Sequence, residues 1–260
     1  MASGDSVIYI IAGANRPRGI GYGMTSYILA SNKEAFVYAG ARDPDQAIAL
    51  QELKSKYPNR LAIIKCVAGD VAGNHEAMKE IDKRHGRVDT VIACMGVANA
   101  FGKVNEVTLS DMENHFLVNA MGPIALFQAA YSLLRKSLNP RFVSLGSSGG
   151  CISGGFIESP VGSVCYGTSK AALHWATRKI HFENEWLVAF PLSPGAVGTD
   201  MVDNIVEADK TGNFQRMIES MPQLSAGNVV ESLVKIIDGS TRERNGGEFM
   251  HVDGTKLPYW

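Results

Sequence analysis

The chain has 260 residues, 45% of them hydrophobic and 20% charged, with a formal net charge of -1. That balance excludes a disordered or fibrous chain, and it gives no electrostatic reason to expect a nucleic-acid partner. The length suits one large core, so a single domain over residues 1–260 is expected.

Along the chain, short apolar runs alternate with longer amphipathic segments. The runs are VIYIIA (7–12), AFVYAG (35–40), LAIIKCV (61–67), VDTVIAC (88–94), RFVSLG (141–146), WLVAFPL (186–192) and GEFMHV (247–252). Continuous rather than alternating apolar character suits strands covered on both faces. The segments between them span roughly 12–25 residues, the length a parallel crossover requires. The expectation is an α/β fold, a three-layer sandwich around a seven-stranded, mostly parallel, doubly wound sheet.

Three segments break the alternation: 97–107, the Gly/Ser-rich 147–164, and 199–224 with its several Met. Each follows a strand, so all three should crowd the carboxyl edge of the sheet, where ligands bind in open α/β folds. The last, about 199–224, reads as a substrate loop or lid, and its Met and Phe residues suit a sizeable apolar small-molecule ligand or simple helix packing. Cys66, Cys94, Cys151 and Cys165 form no CxxC pair and no metal-ligand spacing. No metal site is expected, and a reducing compartment is the simplest reading. Without a secretory leader pattern or a run approaching roughly 18 apolar residues, the expectation is a cytoplasmic protein with no membrane partner.

The first run leads into GANRPRGIG, with Gly13 and Gly19 on either side of Asn15 and Gly19 and Gly21 on either side of Ile20. Small residues there let the backbone approach a diphosphate, and the following helix offers its unpaired N–H groups. Arg42 follows the second run, where an arginine would pair with a 2′-phosphate and an acidic residue would bind free ribose hydroxyls. That favours NADP(H) over NAD, with Arg18 adding to the positive patch and Arg16 left open. A solvated surface arginine is the plain alternative for Arg42. In AGDVAG, Asp70 can accept from an adenine amino group while Val71 packs on the ring, or Asp70 can cap a helix. In CYGTSKAAL, Tyr166 and Lys170 stand four apart on one helix face, and an ammonium near a phenol favours the phenolate. The pair suits a general acid for carbonyl reduction.

These motifs, with NA of FLVNAMGP, SLGSSGG and SPGAVGTDM, occur in an order that resembles the short-chain dehydrogenase/reductase family over nearly the whole chain. TRKIHFEN and the ending GGEFMHVDGTKLPYW are similar to fungal secondary-metabolism ketoreductases of the norsolorinic acid reductase type. The resemblance implies a Rossmann-type domain and a catalytic set of Asn119, Ser147, Tyr166 and Lys170. Asn119 would hold a relay water, and Ser147 would hydrogen-bond the substrate carbonyl. Lys170 would bind the nicotinamide ribose and depress the Tyr166 pKa. Gly96 would pass over adenosine, and Pro194, Gly195, Val197 and Thr199 would hold the nicotinamide amide and diphosphate. A homodimer or homotetramer is implied, with helices around 108–135 and 165–183 at the interface.

Four features depart from the family pattern. The glycine-rich loop is two residues longer, and Ala12 stands where a threonine is usual. ACMG at 93–96 replaces Asn-Asn-Ala-Gly, and the serine spacing is stretched. Counting back from Tyr166 points to Ser153, but Ser147 stands where the strand ends, with Ser148 next. The implied activity is NADPH-dependent reduction of a ketone, aldehyde or imine. A cyclase or reductase/cyclase of an alkaloid or polyketide pathway is the alternative, and a catalytically silent NADPH sensor is a third reading.

Overall fold

The computed structural model describes residues 6–221 and 225–258. All seven apolar runs contain a strand: β1 (Val7–Ala12), β2 (Ala35–Ala41), β3 (Leu61–Lys65), β4 (Thr90–Ala93), β5 (Arg141–Leu145), β6 (Val188–Ser193) and β7 (Met250–His251). They form one sheet in the order β3-β2-β1-β4-β5-β6-β7. Every pair in it is parallel, so the sheet is wholly rather than mostly parallel.

β1 shows why its sequence does not alternate. Tyr9 and Ile11 pack on one face with Met24 and Ile28 of α1 (Ile20–Ser31) and Leu233 of a late helix, Ala226–Asp238. Ile8, Ile10 and Ala12 pack on the other, with Met78 and Ile81 of Val71–His85 and Leu126 of Gly122–Leu134. Each such aliphatic side chain contributes roughly 1.5–3 kcal/mol on full burial, so both faces demand apolar residues. α2 (Ile48–Lys56) completes the first layer, and Val71–His85 and Gly122–Leu134 are α3 and α5 of the second. Asp70 caps α3 by accepting from the Gly73 N–H at 2.8 Å.

α4 (Leu109–Phe116), one turn of π-helix (Leu117–Met121) and α5 run end to end. By length and composition alone this run could cross a membrane. Leu109–Leu134 is 26 residues long with a mean hydropathy of 1.4 over its most apolar window, and 56% of that window is buried inside the protein, as in a core helix. α6 (Gly155–Glu158) is a single turn in the 147–164 loop, and α7 (Val164–Glu183) is the longest single helix described. The 199–224 segment, expected as a lid, contains α8 (Asp200–Ala208) and α9 (Asn213–Glu219), and is followed by α10 (Ala226–Asp238) and α11 (Arg242–Asn245). Residues 222–224 of the lid, and Tyr259 and Trp260, lie outside the described residues.

Strand order reverses between β1 and β4, and the chain leaves both at the same edge. Gly13 follows β1 with φ of +83°, and a Cβ there would stand 2.8 Å from the Met95 N. Only glycine lets the two loops approach this closely, and the approach opens the cleft beside them.

Candidate active site

The cleft, about 360 Å³, lies across the carboxyl ends of β1, β2, β4 and β5. One half is the glycine-rich loop. Asn15, Gly19 and Ile20 line it beside Gly13, and α1 follows Gly19 without a side-chain cap or an acidic residue in its first turn. A Cβ on Gly21 would meet the Gly13 carbonyl oxygen at 2.6 Å, so the helix end sits hard against the loop. Open N–H groups on a close-packed backbone fit a dinucleotide diphosphate.

Arg16-Pro17-Arg18-Gly19, in the lengthened loop, is a turn closed by the Gly19 N–H donating to the Arg16 carbonyl at 2.8 Å. Its two arginines diverge. Arg16, half-buried, lines the cleft with Arg42. Arg18, expected beside a 2′-phosphate, is not among the cleft-lining residues. Its guanidinium pairs with Asp200 at 3.2 Å and Asp203 at 2.7 Å on α8. Asp43, the one acid adjoining Arg42, instead accepts from the Asp45 N–H at 3.1 Å.

The other half is β5 and α7. Tyr166 and Lys170 line the cleft from one face of α7, as their spacing predicts. Ser147 accepts from the Gly149 N–H at 3.1 Å, and its hydroxyl lies close enough to the Tyr166 phenol to influence its proton. Ser153 is exposed on the loop, and Ser148 opens a 3-10 turn. Lys170 is buried and donates to the Leu145 carbonyl at 2.7 Å, with its ammonium 5.7 Å from the Tyr166 ring centre. Burial pushes the Lys170 pKa down to about 8. The Tyr166 phenol moves up, not down as expected. Burial is the larger influence, and the nearby Ser147 hydroxyl pulls the other way.

Asn119, fully buried on the π-helical turn, acts as a brace. Its Oδ1 accepts from the Val97 N–H at 2.7 Å, and its Nδ2 donates to the Val97 carbonyl and the Ser169 hydroxyl, both at 2.9 Å. Both amide protons are thereby used. Gly96, Pro194 and Thr199 line the cleft, and Thr199 also caps α8. Gly195 and Val197 belong to the same segment without lining the cleft, and the Val197 side chain joins the core. Asp70 and Val71 also stay outside it, with Asp70 serving as the α3 cap and Val71 exposed.

The sequence reading passed over Asp200 and Met201, which close the cleft from α8, and over Cys94, which lines its base. It also passed over His174, although His174 is four residues beyond Lys170 and that spacing alone puts it on the same face. Burial pushes the Cys66 and Cys94 thiols up to about 12, which leaves them protonated and unreactive.

The short chain dehydrogenase family model matches residues 7–210. The chain belongs to that family. Among its relatives, norsolorinic acid ketoreductase of Aspergillus parasiticus is 30% identical over 98% of this chain and 92% of that protein. An uncharacterised oxidoreductase of Schizosaccharomyces pombe is 31% identical over the full length of both. NADPH-bound carbonyl reductase from chicken fatty liver superposes with a TM-score of 0.83, at 25% identity over 97% of this chain and 99% of that one. The protein is an oxidoreductase with a Rossmann-type fold and a nicotinamide cofactor cleft.

Proposed function

We propose that the protein is an NADPH-dependent carbonyl reductase acting on a sizeable apolar ketone, aldehyde or imine, in the manner of fungal secondary-metabolite ketoreductases. One observation carries this reading: Tyr166 and Lys170 line a cleft whose other half is an uncapped helix end flanked by Arg16 and Arg42, with Ser147 beside them just past the end of β5.

Bound NADPH supplies the hydride. Gly13, Asn15, Gly19, Ile20 and Gly21 hold its diphosphate, and Arg42 with Arg16 pairs with the 2′-phosphate. Gly96 would pass over the adenosine and Pro194 to Thr199 would lie toward the nicotinamide, whereas Asp70, as the α3 cap, and the exposed Val71 stay outside the cleft. The raised Tyr166 pKa keeps the phenol protonated at neutral pH, as a proton donor requires. Tyr166 gives its proton to the carbonyl oxygen while the Ser147 hydroxyl donates to the same oxygen, which stabilises the developing charge. The Lys170 ammonium then favours the phenolate left behind. Asn119 steadies Ser169 and the 97–107 loop around them.

The lid supports an apolar substrate. Phe101, Met201, Val202 and Tyr166 pack against Phe214 and Ile205 in a small cluster separate from the main core. Exposed Met121 and Tyr131 on the 108–135 helices, and Trp175 and Phe182 on α7, support the homo-oligomer.

The test is an assay of polycyclic ketones and cyclic imines with NADPH, with NADH and with neither, products being read by mass. Reduction with NADPH preferred is expected, and Tyr166→Phe should lower turnover roughly 100- to 10,000-fold while cofactor affinity holds. Product formed without cofactor oxidation would install the cyclase reading instead.

A further inference from the structure

Polar side chains fasten α7 to the end of β5 rung by rung. Thr177 hydrogen-bonds Ser144 hydroxyl to hydroxyl at 2.7 Å, and Lys170 donates to the Leu145 carbonyl at 2.7 Å. The third rung is His174, whose Nε2 accepts from the Ser147 N–H at 3.2 Å. The sheet ladder ends one residue earlier, where the Gly146 N–H donates to the Leu192 carbonyl at 2.9 Å. Ser147 therefore lies just beyond reach of the strand, and the imidazole takes the place of a ladder acceptor.

We propose that His174 is a positioning residue for the reaction: its neutral ring, with Nε2 as acceptor, fixes the backbone of Ser147 and so aims the Ser147 hydroxyl at Tyr166 and the substrate oxygen. This rests on the carbonyl-reductase reading of the site.

Three observations converge on it. The ring is buried at 2% exposure and held against Phe249, with centroids 4.2 Å apart. A Cβ on Gly146 would stand 2.8 Å from both the His174 Nε2 and the Phe249 ring, so the strand end is closed down onto the imidazole. The Nδ1 is buried without a hydrogen-bond partner among the described residues. If Nε2 accepts, the proton of the neutral ring must sit on Nδ1, as an unmatched buried donor. An apolar side chain would remove that orphan but leave the Ser147 N–H orphaned instead. Histidine thus moves the unmatched donor to the far side of the ring, away from the reacting atoms. Burial and the Lys170 charge both keep the ring neutral, which preserves the acceptor.

The test combines tautomer and kinetics. In wild-type protein, nitrogen NMR of His174 should show an unprotonated Nε2 and a protonated Nδ1 from pH 5 to 8, roughly the range in which an ordinary histidine titrates. A protonated Nε2 there would overturn the proposal without any variant having to fold. With a ketone the wild type reduces, and NADPH saturating, His174→Phe should lower kcat roughly ten- to a hundredfold, as expected for a buried N–H stripped of its acceptor, with NADPH Kd unchanged. His174→Gln, which offers an acceptor oxygen at a similar reach, should recover most of that loss. In a Ser147→Ala background, His174→Phe should add little further loss, because the two act as one unit. Equal losses in the Phe and Gln variants, full additivity, or parallel loss of NADPH binding would each overturn it. Failure of the wild type to reduce any carbonyl would instead defeat the reductase reading.

Discussion

The two walls of the cleft are built differently. The β5–α7 wall is held by buried polar rungs, with Ser144, Ser169, Lys170, His174 and Thr177 all at or below 4% exposure. The wall formed by α8 and α9, the proposed lid, is held among the described residues by a small apolar cluster around Ala98, Val161, Ile205 and Phe214, the ion pairs of Arg18 to Asp200 and Asp203, and the Asn213 bond to the Pro160 carbonyl. A catalytic group must be held close to its productive geometry, whereas a lid must open and close. The rigid wall would carry the chemistry and the loose wall the admission of substrate. Substitutions of similar size should therefore differ in what they disturb.

The largest effect is expected on the rigid wall. Lys170→Ala removes the charge that favours the Tyr166 phenolate and strips the Leu145 carbonyl of its donor. kcat/KM for reduction should fall roughly a hundredfold or more, with the lid as resistant to protease as in wild type. The same residue sets the alkaline limb. Burial lowers its pKa to about 8, so the ammonium is present below that pH and lost above it. Because the Tyr166 pKa is raised, the phenol keeps its proton through this range. The wild-type kcat/KM should decline above about pH 8, and Lys170→Arg should flatten that decline if the variant is active. A flat wild-type profile from pH 7 to 10 would break the link between Lys170 charge and turnover, since an unshifted lysine titrates at about 10.4.

On the loose wall, Phe214→Ala empties the centre of the small cluster, where the Phe214 and Phe101 rings stand 6.3 Å apart. KM for an apolar ketone should rise roughly tenfold with kcat little changed, and protease should cut within 199–221 at least several times faster. The main thermal transition should stay in place, because the cluster is separate from the core on either face of the sheet. A lowered Tm together with an unaltered KM would mean that the lid is part of the core and the comparison is false.

How much of this was legible in the chain follows from the same contrast. β1 could be read because both its faces meet helices, which forbids alternation, and Tyr166 with Lys170 because a four-residue step fixes their shared face. The π-helical turn under Asn119 carries no sequence period of its own, so its role as a brace emerges only from the contacts with Val97 and Ser169. The direction of the Tyr166 shift depends on how closely atoms surround the phenol, which no spacing reveals. The separation of Arg16 from Arg18 depends on the closure of one four-residue turn, which leaves Arg16 lining the cleft and Arg18 on the α8 acids.

That separation gives the smallest and most discriminating prediction. Arg18 and its partners are more than a third exposed, with side-chain exposures of 58%, 39% and 56% for Arg18, Asp200 and Asp203. Exposed pairs of this kind contribute about 0.2–1 kcal/mol each, and salt screens them. Removing the arginine leaves both acids in the first turn of α8, where the helix dipole favours negative charge, so neither is stranded. Arg18→Ala should lower kcat/KM only about two- to fivefold at low salt, and the difference should nearly vanish at about 500 mM salt. It should leave the preference for NADPH over NADH as it was, whereas Arg42→Ala should erode that preference by at least tenfold through loss of a charge-assisted contact. If Arg18→Ala instead raised the KM for NADPH alone, its guanidinium would have to leave the α8 acids for the 2′-phosphate. The extended glycine-rich loop would then be a cofactor reader rather than the anchor of the lid.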